Sequence, residues 1–319
     1  MKNDRQSFAA ALYREMPPCL HQWRKEEDLR QDIDDILEIE FDRCENRDFA
    51  EGFAAACPFP GCEPKDYFQR VIEVGAEQKI LAGIRVHYSL KFSFVDIIAA
   101  AEPLDDVAVM EQALDAVREA YACFEVQTVR VLSSLDRELA LPADVEATLD
   151  QVFAVGLVEE LAAGPEAPTT EDVRLEPVDN VGEAAALVVA AYDEYFSEHP
   201  KFKTIIDPAD EESLLQCRKT GALVYILVAG KRAGLLASCE ELGQVAHGQI
   251  VSEEVLLSEF RGRGIAAIAQ RRLVDLLAKE KPGSLLSGTI DARNLASRAT
   301  ARRVGRKEVA AWYWLRQKR

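Results

Sequence analysis

The chain has 319 residues, nearly half of them apolar, and a formal net charge of −17. That length and apolar content suit two globular domains with real cores and exclude a disordered chain. The acidic balance argues against a nucleic-acid partner and against an anionic membrane surface.

Residues 1 to about 35 are polar and read as partly helical, broken at Pro17 and Pro18, with an acidic solvated helical face over Asp28 to Asp35. His21 reads as a surface residue. Ile36 to Cys44 alternates apolar and polar residues, a strand signal. Pro58, Pro60, Gly61 and Pro64 mark a loop, and Asp66 to Glu77 looks helical. Lys79 to His87 and Phe92 to Ala101 read as two strands joined by a turn at Tyr88 to Lys91. His87 reads as a core or edge residue. Asp96 interrupts an apolar strand and must either face solvent or be hydrogen-bonded. A helix is expected from about Asp106 to Cys123, a strand over Val126 to Leu132, and a helix over Asp144 to Ala162.

The Pro-rich polar stretch from Ala163 to Asp172 reads as a linker, which divides the chain into domains 1–165 and 166–319. Beyond it the expected elements are a strand at Val173 to Val178, an Ala-rich helix at Val181 to Phe196, and a second helix opened by Asp207-Pro208. Ala222 to Val228 reads as a buried strand, followed across Gly230-Lys231-Arg232 by Ala233 to Cys239. Then come a strand ending near Leu257, a helix from Ile265, a strand at Leu285 to Ile290, a short helix ending near Gly305, and a closing strand at Val309 to Leu315. The fold class is mixed α/β.

Composition bounds the setting further. No apolar run reaches the roughly 20 residues of a membrane span, and Met1 to Arg5 lacks an apolar signal core, so a cytoplasmic location is expected. Seven cysteines, an odd number scattered through apolar patterns, read as reduced core thiols. Cys57 and Cys62 lie close together, but no second pair at zinc spacing follows, so no metal site is expected.

The sharpest signal is Arg261-Gly262-Arg263-Gly264-Ile265-Ala266, set between a strand and a helix. Glycines there let backbone approach a bulky anion, and the first helical turn offers unpaired N–H groups at the positive end of the helix dipole. Arg261 and Arg263 add donors suited to phosphate oxygens. The stretch reads as a pyrophosphate cradle, although it lacks both the third glycine of a dinucleotide fingerprint and the Gly-Lys-Ser/Thr ending of a P-loop.

Arg-x-x-Gly-x-Ala after a strand, Asn294 opening a helix downstream, and the closing Val309 to Leu315 run together resemble the GNAT-type N-acetyltransferase superfamily, from Val173 onward. The resemblance implies acetyl-CoA as co-substrate and an amine acceptor, either a small molecule or a protein amine. It implies coenzyme A contacts at Val255, Leu256, Leu257, Arg261, Gly262, Arg263, Gly264, Ile265, Ala266, Asn294 and Ser297. The oxyanion donor would be a backbone N–H near Leu256, and Glu253 would be the general base. Alternation along the strand puts Glu254 on the opposite face from Glu253, and His247 and Gln249 on the same face as Glu253, which makes His247 the second candidate base.

The chain departs from the family at Ala301, where many members carry a Tyr acid, and at Arg306, where an aromatic follows the helix glycine. The basic C-terminal run, Arg298, Arg302, Arg303, Arg306, Lys307, Arg316, Lys318 and Arg319, reads for the most part as a solvated face, one use of which is to meet the adenosine 3′-phosphate. The first half repeats the order strand, strand, helix, strand, and reads either as a degenerate copy of the same core or as an unrelated α/β domain. Its turn, Glu102-Pro103-Leu104-Asp105-Asp106, is acidic and should repel a pyrophosphate. The functional expectation is N-acetyl transfer by direct attack on the thioester; the alternative is an acyl-CoA-binding regulatory or scaffolding protein. Oligomeric state stays open.

Overall fold

The computed structural model describes residues 2–76, 78–87, 92–164 and 171–318. The chain forms two compact units, one of residues 1–152 with 309–319, the other of residues 153–308. Among the described residues no helix is long and apolar enough to cross a membrane.

The first unit opens with four helices, α1 (Lys2–Glu15), α2 (Pro18–Trp23), α3 (Glu26–Asp42) and α4 (Arg47–Ala56). It continues with β1 (Arg70–Val74), β2 (Gln78–His87), β3 (Phe92–Ala100), α5 (Val107–Ala120), β4 (Val129–Ser134) and the start of β5 (Val145–Leu157). β1, β2 and β3 pair antiparallel in sequence, and β3 and β4 run parallel across α5. One apolar cluster, including Ile80, Ile84, Met110, Leu114 and Val117, joins α5 to the strands.

The second unit takes the end of β5, α6 (Val158–Ala163), β6 (Val173–Pro177), α7 (Val181–Glu198), α8 (Glu211–Thr220), β7 (Ala222–Val228), β8 (Lys231–Leu242) and β9 (His247–Leu256). It continues with α9 (Ile265–Glu280), β10 (Leu285–Asp291) and α10 (Leu295–Val304). β6, β7, β8 and β9 pair antiparallel in sequence, and β9 and β10 run parallel across α9. α7 and α8 pack on one face of these strands through Ala184, Val188, Leu214, Leu235 and Ala237. α9 packs on the other through Ile265, Ile268, Leu273, Ala233 and Leu236.

The last strand, β11 (Lys307–Gln317), pairs antiparallel with β4, Ala310 opposite Ser134 through Leu315 opposite Val129. It therefore closes the first unit, not the second, while residues 153–157 of β5 belong to the second. The expected linear boundary at 165 does not follow the compact units, because each half contributes a strand to the other half's unit.

β9 carries the feature that shapes the site. Val251 faces Ser238 and Glu253 faces Ala237, so Ser252 is an extra residue with no opposing residue in the β8 register. Such a bulge bends its strand. Pairing to β10 is confined to Leu286 with Gln249 and Ser287 with Ile250, just before the bulge. Beyond it β9 and β10 diverge. The bulge also reverses the alternation. Cross-strand partners share a face, so His247, Gln249 and Val251 lie with Glu254 and Leu256, on the α9 side. The expectation that His247 and Gln249 share a face with Glu253 is thereby corrected.

Several expected elements differ. Ile36 to Cys44 is not a strand but the end of α3, whose buried Leu29, Ile33, Leu37 and Phe41 recur every four residues. α4, capped by Asn46, had no sequence expectation. In place of the helix expected over Asp66 to Glu77, the described residues form the end of a short 3-10 turn followed by β1, and Asp144 to Ala162 is mostly β5. The expected turn at Tyr88 to Lys91 and the middle of the linker lie outside the described residues. Cys217 on α8 and Cys239 on β8 form a disulfide, so two of the seven cysteines are not thiols.

Asp96 is buried in an ion-pair network. Arg130 on β4 donates from Nε and Nη2 to its two oxygens at 2.8 and 3.0 Å, and from Nη1 to Asp150 at 2.7 Å.

The exchanged strands yield a test. Expressed alone, fragments 1–165 and 166–319 each lack a strand that their unit uses and carry one belonging to the other. Neither should show a cooperative thermal transition, and co-expression should restore one. Cooperative melting of the isolated fragments would show that the exchange is dispensable.

Candidate active site

The divergence of β9 and β10 opens a cleft of about 380 Å³ in the second unit, within the usual range for small-molecule sites. Its floor is the run Glu254, Val255 and Leu256; one wall comes from the start of α9, another from α10, and Tyr192, Tyr195 and Ile206 close the α7 side.

At the start of α9, Gly262 and Gly264 adopt φ of 73° and 77°, left-handed conformations that strain any residue with a Cβ. Gly264 is the N-cap, and no side chain caps this helix. Gly264, Ile265 and Ala266 line the cleft, so the helix presents its open N-terminus to it. α10 differs: Asn294 Oδ1 accepts from the Ser297 N–H at 3.1 Å and caps it.

Of the expected ligand-binding residues, Val255, Leu256, Arg261, Gly262, Gly264, Ile265 and Ala266 line the cleft, and Asn294 and Ser297 face them from α10. Two others lie elsewhere. Leu257 packs into the apolar layers of the unit. Arg263 is exposed, paired with Glu171 at 2.6 Å and set over the Phe260 ring. Arg261 is on the cleft, but its guanidinium holds the chain. Nε donates to Leu256 O and Nη2 to Ala191 O, both at 2.8 Å, which ties the end of β9 to α7. The arginine side chains expected as phosphate donors are thus largely engaged with protein groups; the open backbone N–H groups of α9 remain.

Glu253 does not line the cleft directly. It is 5% exposed, and its carboxylate accepts from Tyr192 Oη at 2.9 Å, the Ala209 N–H at 3.1 Å and the Glu254 N–H at 2.8 Å. Burial raises its pKa, with those hydrogen bonds pulling the other way. Its link to the cleft is Tyr192, a residue the Ala-rich reading of α7 passed over. His247 sits at the opposite end of β9, paired with Leu242, and is not among the lining residues. The loop between β8 and β9 contributes no lining residue either.

By alternation alone, Glu254 is simply the residue facing away from Glu253. Its Oε2 accepts from Gln270 Nε2 at 2.9 Å, and its Oε1 is buried without a hydrogen-bond partner. Burial pushes this carboxyl up to about 7, against the hydrogen bond from Gln270 and the charge of Arg306. Arg306 is 3% exposed; its Nη2 donates to Gln270 Oε1 at 2.9 Å, and burial brings its pKa down to about 10. The substitution of Arg306 for an aromatic was visible in the sequence, but its pairing with Glu254 through Gln270 was not. Among the described residues no group of His, Cys, Asp and Glu is placed to hold a metal.

The first unit has the same strand–helix–strand core but a closed turn. Asp106 Oδ1 accepts from the Ala108 and Val109 N–H groups at 2.8 and 3.1 Å, so a carboxylate occupies the start of α5.

No family model and no curated protein sequence matches the chain. Solved structures do. A GNAT-family acetyltransferase from Colwellia psychrerythraea is 12% identical, with a TM-score of 0.52, covering 90% of this chain and 97% of that one. A GCN5-related N-acetyltransferase from Sphaerobacter thermophilus is 15% identical, TM-score 0.48, covering 88% and 93%. Another from Kribbella flavida is 20% identical, TM-score 0.43, covering 78% and 88%. The chain has the GNAT fold, and the likeness to the Colwellia structure extends over both units.

The raised Glu254 pKa has a consequence for stability. A carboxyl whose folded pKa lies above its ordinary value favours the fold fully below about 4.5, and that contribution is lost as pH rises through about 7. Glu254→Gln does not titrate. The stability of the variant minus that of the parent should rise between pH 4.5 and 8 by on the order of 3 kcal/mol, read from urea titrations. A difference independent of pH would mean that Glu254 ionises as an exposed carboxyl does.

Proposed function

We propose that the second unit transfers an acetyl group from acetyl-CoA to an amine by direct attack on the thioester. The observation that carries this reading is the uncapped start of α9, opening with two left-handed glycines onto the cleft between β9 and β10. Open N–H groups at a helix start suit a pyrophosphate, and the GNAT fold places acetyl-CoA chemistry on such a feature. Val255 and Leu256 then flank the pantetheine arm, with Asn294 and Ser297 opposite. Arg303 on the α10 wall is available to the 3′-phosphate.

Attack needs a neutral amine. An alkylammonium has a pKa of roughly 10, so a base must remove its proton near neutral pH. Glu253 serves as that base through Tyr192: the phenol oxygen takes the amine proton while its own proton passes to Glu253 Oε1, 2.9 Å away. The raised pKa of Glu253 brings its basicity nearer the working range. In the first unit the Asp106 cap leaves the matching turn without an anion site, so one donor site per chain is proposed.

Gly264→Asp sets a carboxylate against the pyrophosphate. At about 4 Å and an effective dielectric of about 20, that repulsion is about 4 kcal/mol. Calorimetry with acetyl-CoA should show affinity down by more than about 100-fold in a folded protein, and unchanged affinity would remove the donor site from this cleft. A thiol-release screen of amines, amino acids and aminoglycosides tests turnover; binding without turnover would favour a sensor of acyl-CoA.

Glu253→Gln keeps size and shape but cannot take a proton. Its turnover should fall about 100-fold near neutral pH and partly recover at high pH, where neutral amine is abundant, with acetyl-CoA affinity unchanged. Parental activity in Glu253→Gln together with a dead His247→Ala would move the base to His247.

A further inference from the structure

We propose that Glu254 is the general acid of this transfer, giving its Oε1 proton to the coenzyme A sulfur as the thioester carbon–sulfur bond breaks. The inference rests on the acetyl-transfer reading above and deepens it.

Three observations converge on the residue. The first is position. After the bulge at Ser252, Glu253 and Glu254 point to opposite faces of β9, Glu253 to Tyr192 on α7 and Glu254 to Gln270 on α9. Glu254 lines the same cleft as Asn294 and Ser297, in which the pantetheine arm and its sulfur lie in the proposed complex. The base and the acid of one reaction thus come from adjacent residues, separated by the strand itself.

The second is the atom that carries the proton. Arg306 has donors only, so Gln270 must turn its oxygen toward Arg306 and its NH2 toward Glu254. Glu254 Oε2 is then an acceptor of that NH2. A neutral Glu254 carries its proton on the other oxygen, Oε1, and Oε1 is the buried atom with no partner inside the protein. An unpaired buried oxygen is a standing cost to the fold. It is also what an acid needs: a proton that no protein group holds, on a residue that lines the cleft.

The third is the surroundings. Gln270, Arg306 and the buried Gln249 make this face of β9 a polar pocket within an otherwise apolar layer. Burial keeps the carboxyl substantially protonated near neutral pH. The α10 wall supplies no acid of its own. Ala301 is apolar and fully buried, and Ser297 and Thr300 carry hydroxyls far too weak to protonate a thiolate.

The step balances. The ammonium gives one proton through Tyr192 to Glu253 and on to solvent; the neutral nitrogen then forms a bond to the carbonyl carbon and loses its second proton by the same route. The carbon–sulfur bond breaks, its electron pair stays on sulfur, and the proton of Glu254 completes the thiol. Glu253 then loses a proton to solvent and Glu254 regains one, leaving amide, thiol and unchanged protein.

The test varies the leaving group. Acetyl-CoA releases an alkyl thiol of pKa about 8.5, which gains from an acid, whereas an acetyl nitrophenyl thioester releases a far more acidic thiol, which does not. Hydroxylamine, largely neutral at pH 7, is the acceptor probe, so that the base does not limit. Glu254→Gln should lose about 100-fold in kcat with acetyl-CoA and less than about fivefold with the aryl donor, with acetyl-CoA affinity by calorimetry unchanged. An equal deficit with both donors, or none with either, overturns the role.

Should Glu254→Gln fail to melt cooperatively, the parent decides alone. Its rate should vary little along a series of acetyl thioesters of increasingly acidic thiols, and a steep rise with thiol acidity overturns the proposal. Parental turnover with flat Glu254→Gln ratios removes the acid but leaves the acetyltransferase reading standing; a parent that neither binds nor turns over acetyl-CoA removes both.

Discussion

The site depends on one surplus residue. Ser252 has no opposing residue in the β8 register, and the strand accommodates it by a bulge. Three consequences follow from that single insertion. β9 bends away from β10 after Ile250, which opens the cleft. The side-chain alternation flips, which brings Glu254 rather than Glu253 to the α9 face. The end of β9 then needs a tether, and Arg261 supplies it by donating to Leu256 O and Ala191 O. Without the bulge the two parallel strands would zip shut and their edges would satisfy each other.

Two neighbouring carboxyls therefore meet two environments. Glu253 is held by three donors, one of them the Tyr192 hydroxyl, and keeps its carboxylate well solvated by the protein. Glu254 has a single amide and an orphaned oxygen, and its burial pushes its pKa up to about 7. Arg306 limits that rise from a distance, through the Gln270 amide. Pairs of titratable groups whose surroundings drive them apart are the usual raw material of acid–base chemistry. Replacing Glu254 and Arg306 by apolar residues would make a quieter core, which is why their joint presence calls for a chemical explanation.

The two units show how little separates an open anion site from a closed one. Both set a helix between parallel strands. In the second, two left-handed glycines leave the helix start bare; in the first, Asp106 fills it. Arg130 then joins β4 to Asp96 and Asp150, and stacks near Phe94, Trp312 and Trp314, where ring faces lie 4.5 to 5.3 Å from the guanidinium. Those three charges satisfy one another.

Local chemistry was legible in the chain. The glycines and the helix after them, the Asn294 cap, the acidic turn at Asp106 and most strands of the second half follow from residue type and period, which act over a few residues. Where two periods competed, sequence misled. Ile36 to Cys44 reads as alternating, yet α3 buries Leu29, Ile33, Leu37 and Phe41 at helical spacing over thirteen residues. Long-range pairing decided the rest. Nothing in Val309 to Leu315 says that it joins β4, because a strand's partner is set by the edge available when it docks. Nothing in Ser252 announces a bulge, since the extra residue exists only relative to β8. The link from Glu254 through Gln270 to Arg306 spans 16 and then 36 residues of chain. The sequence determined which groups could do chemistry; register and packing decided which of them meet, because those are relations between segments and not properties of any one.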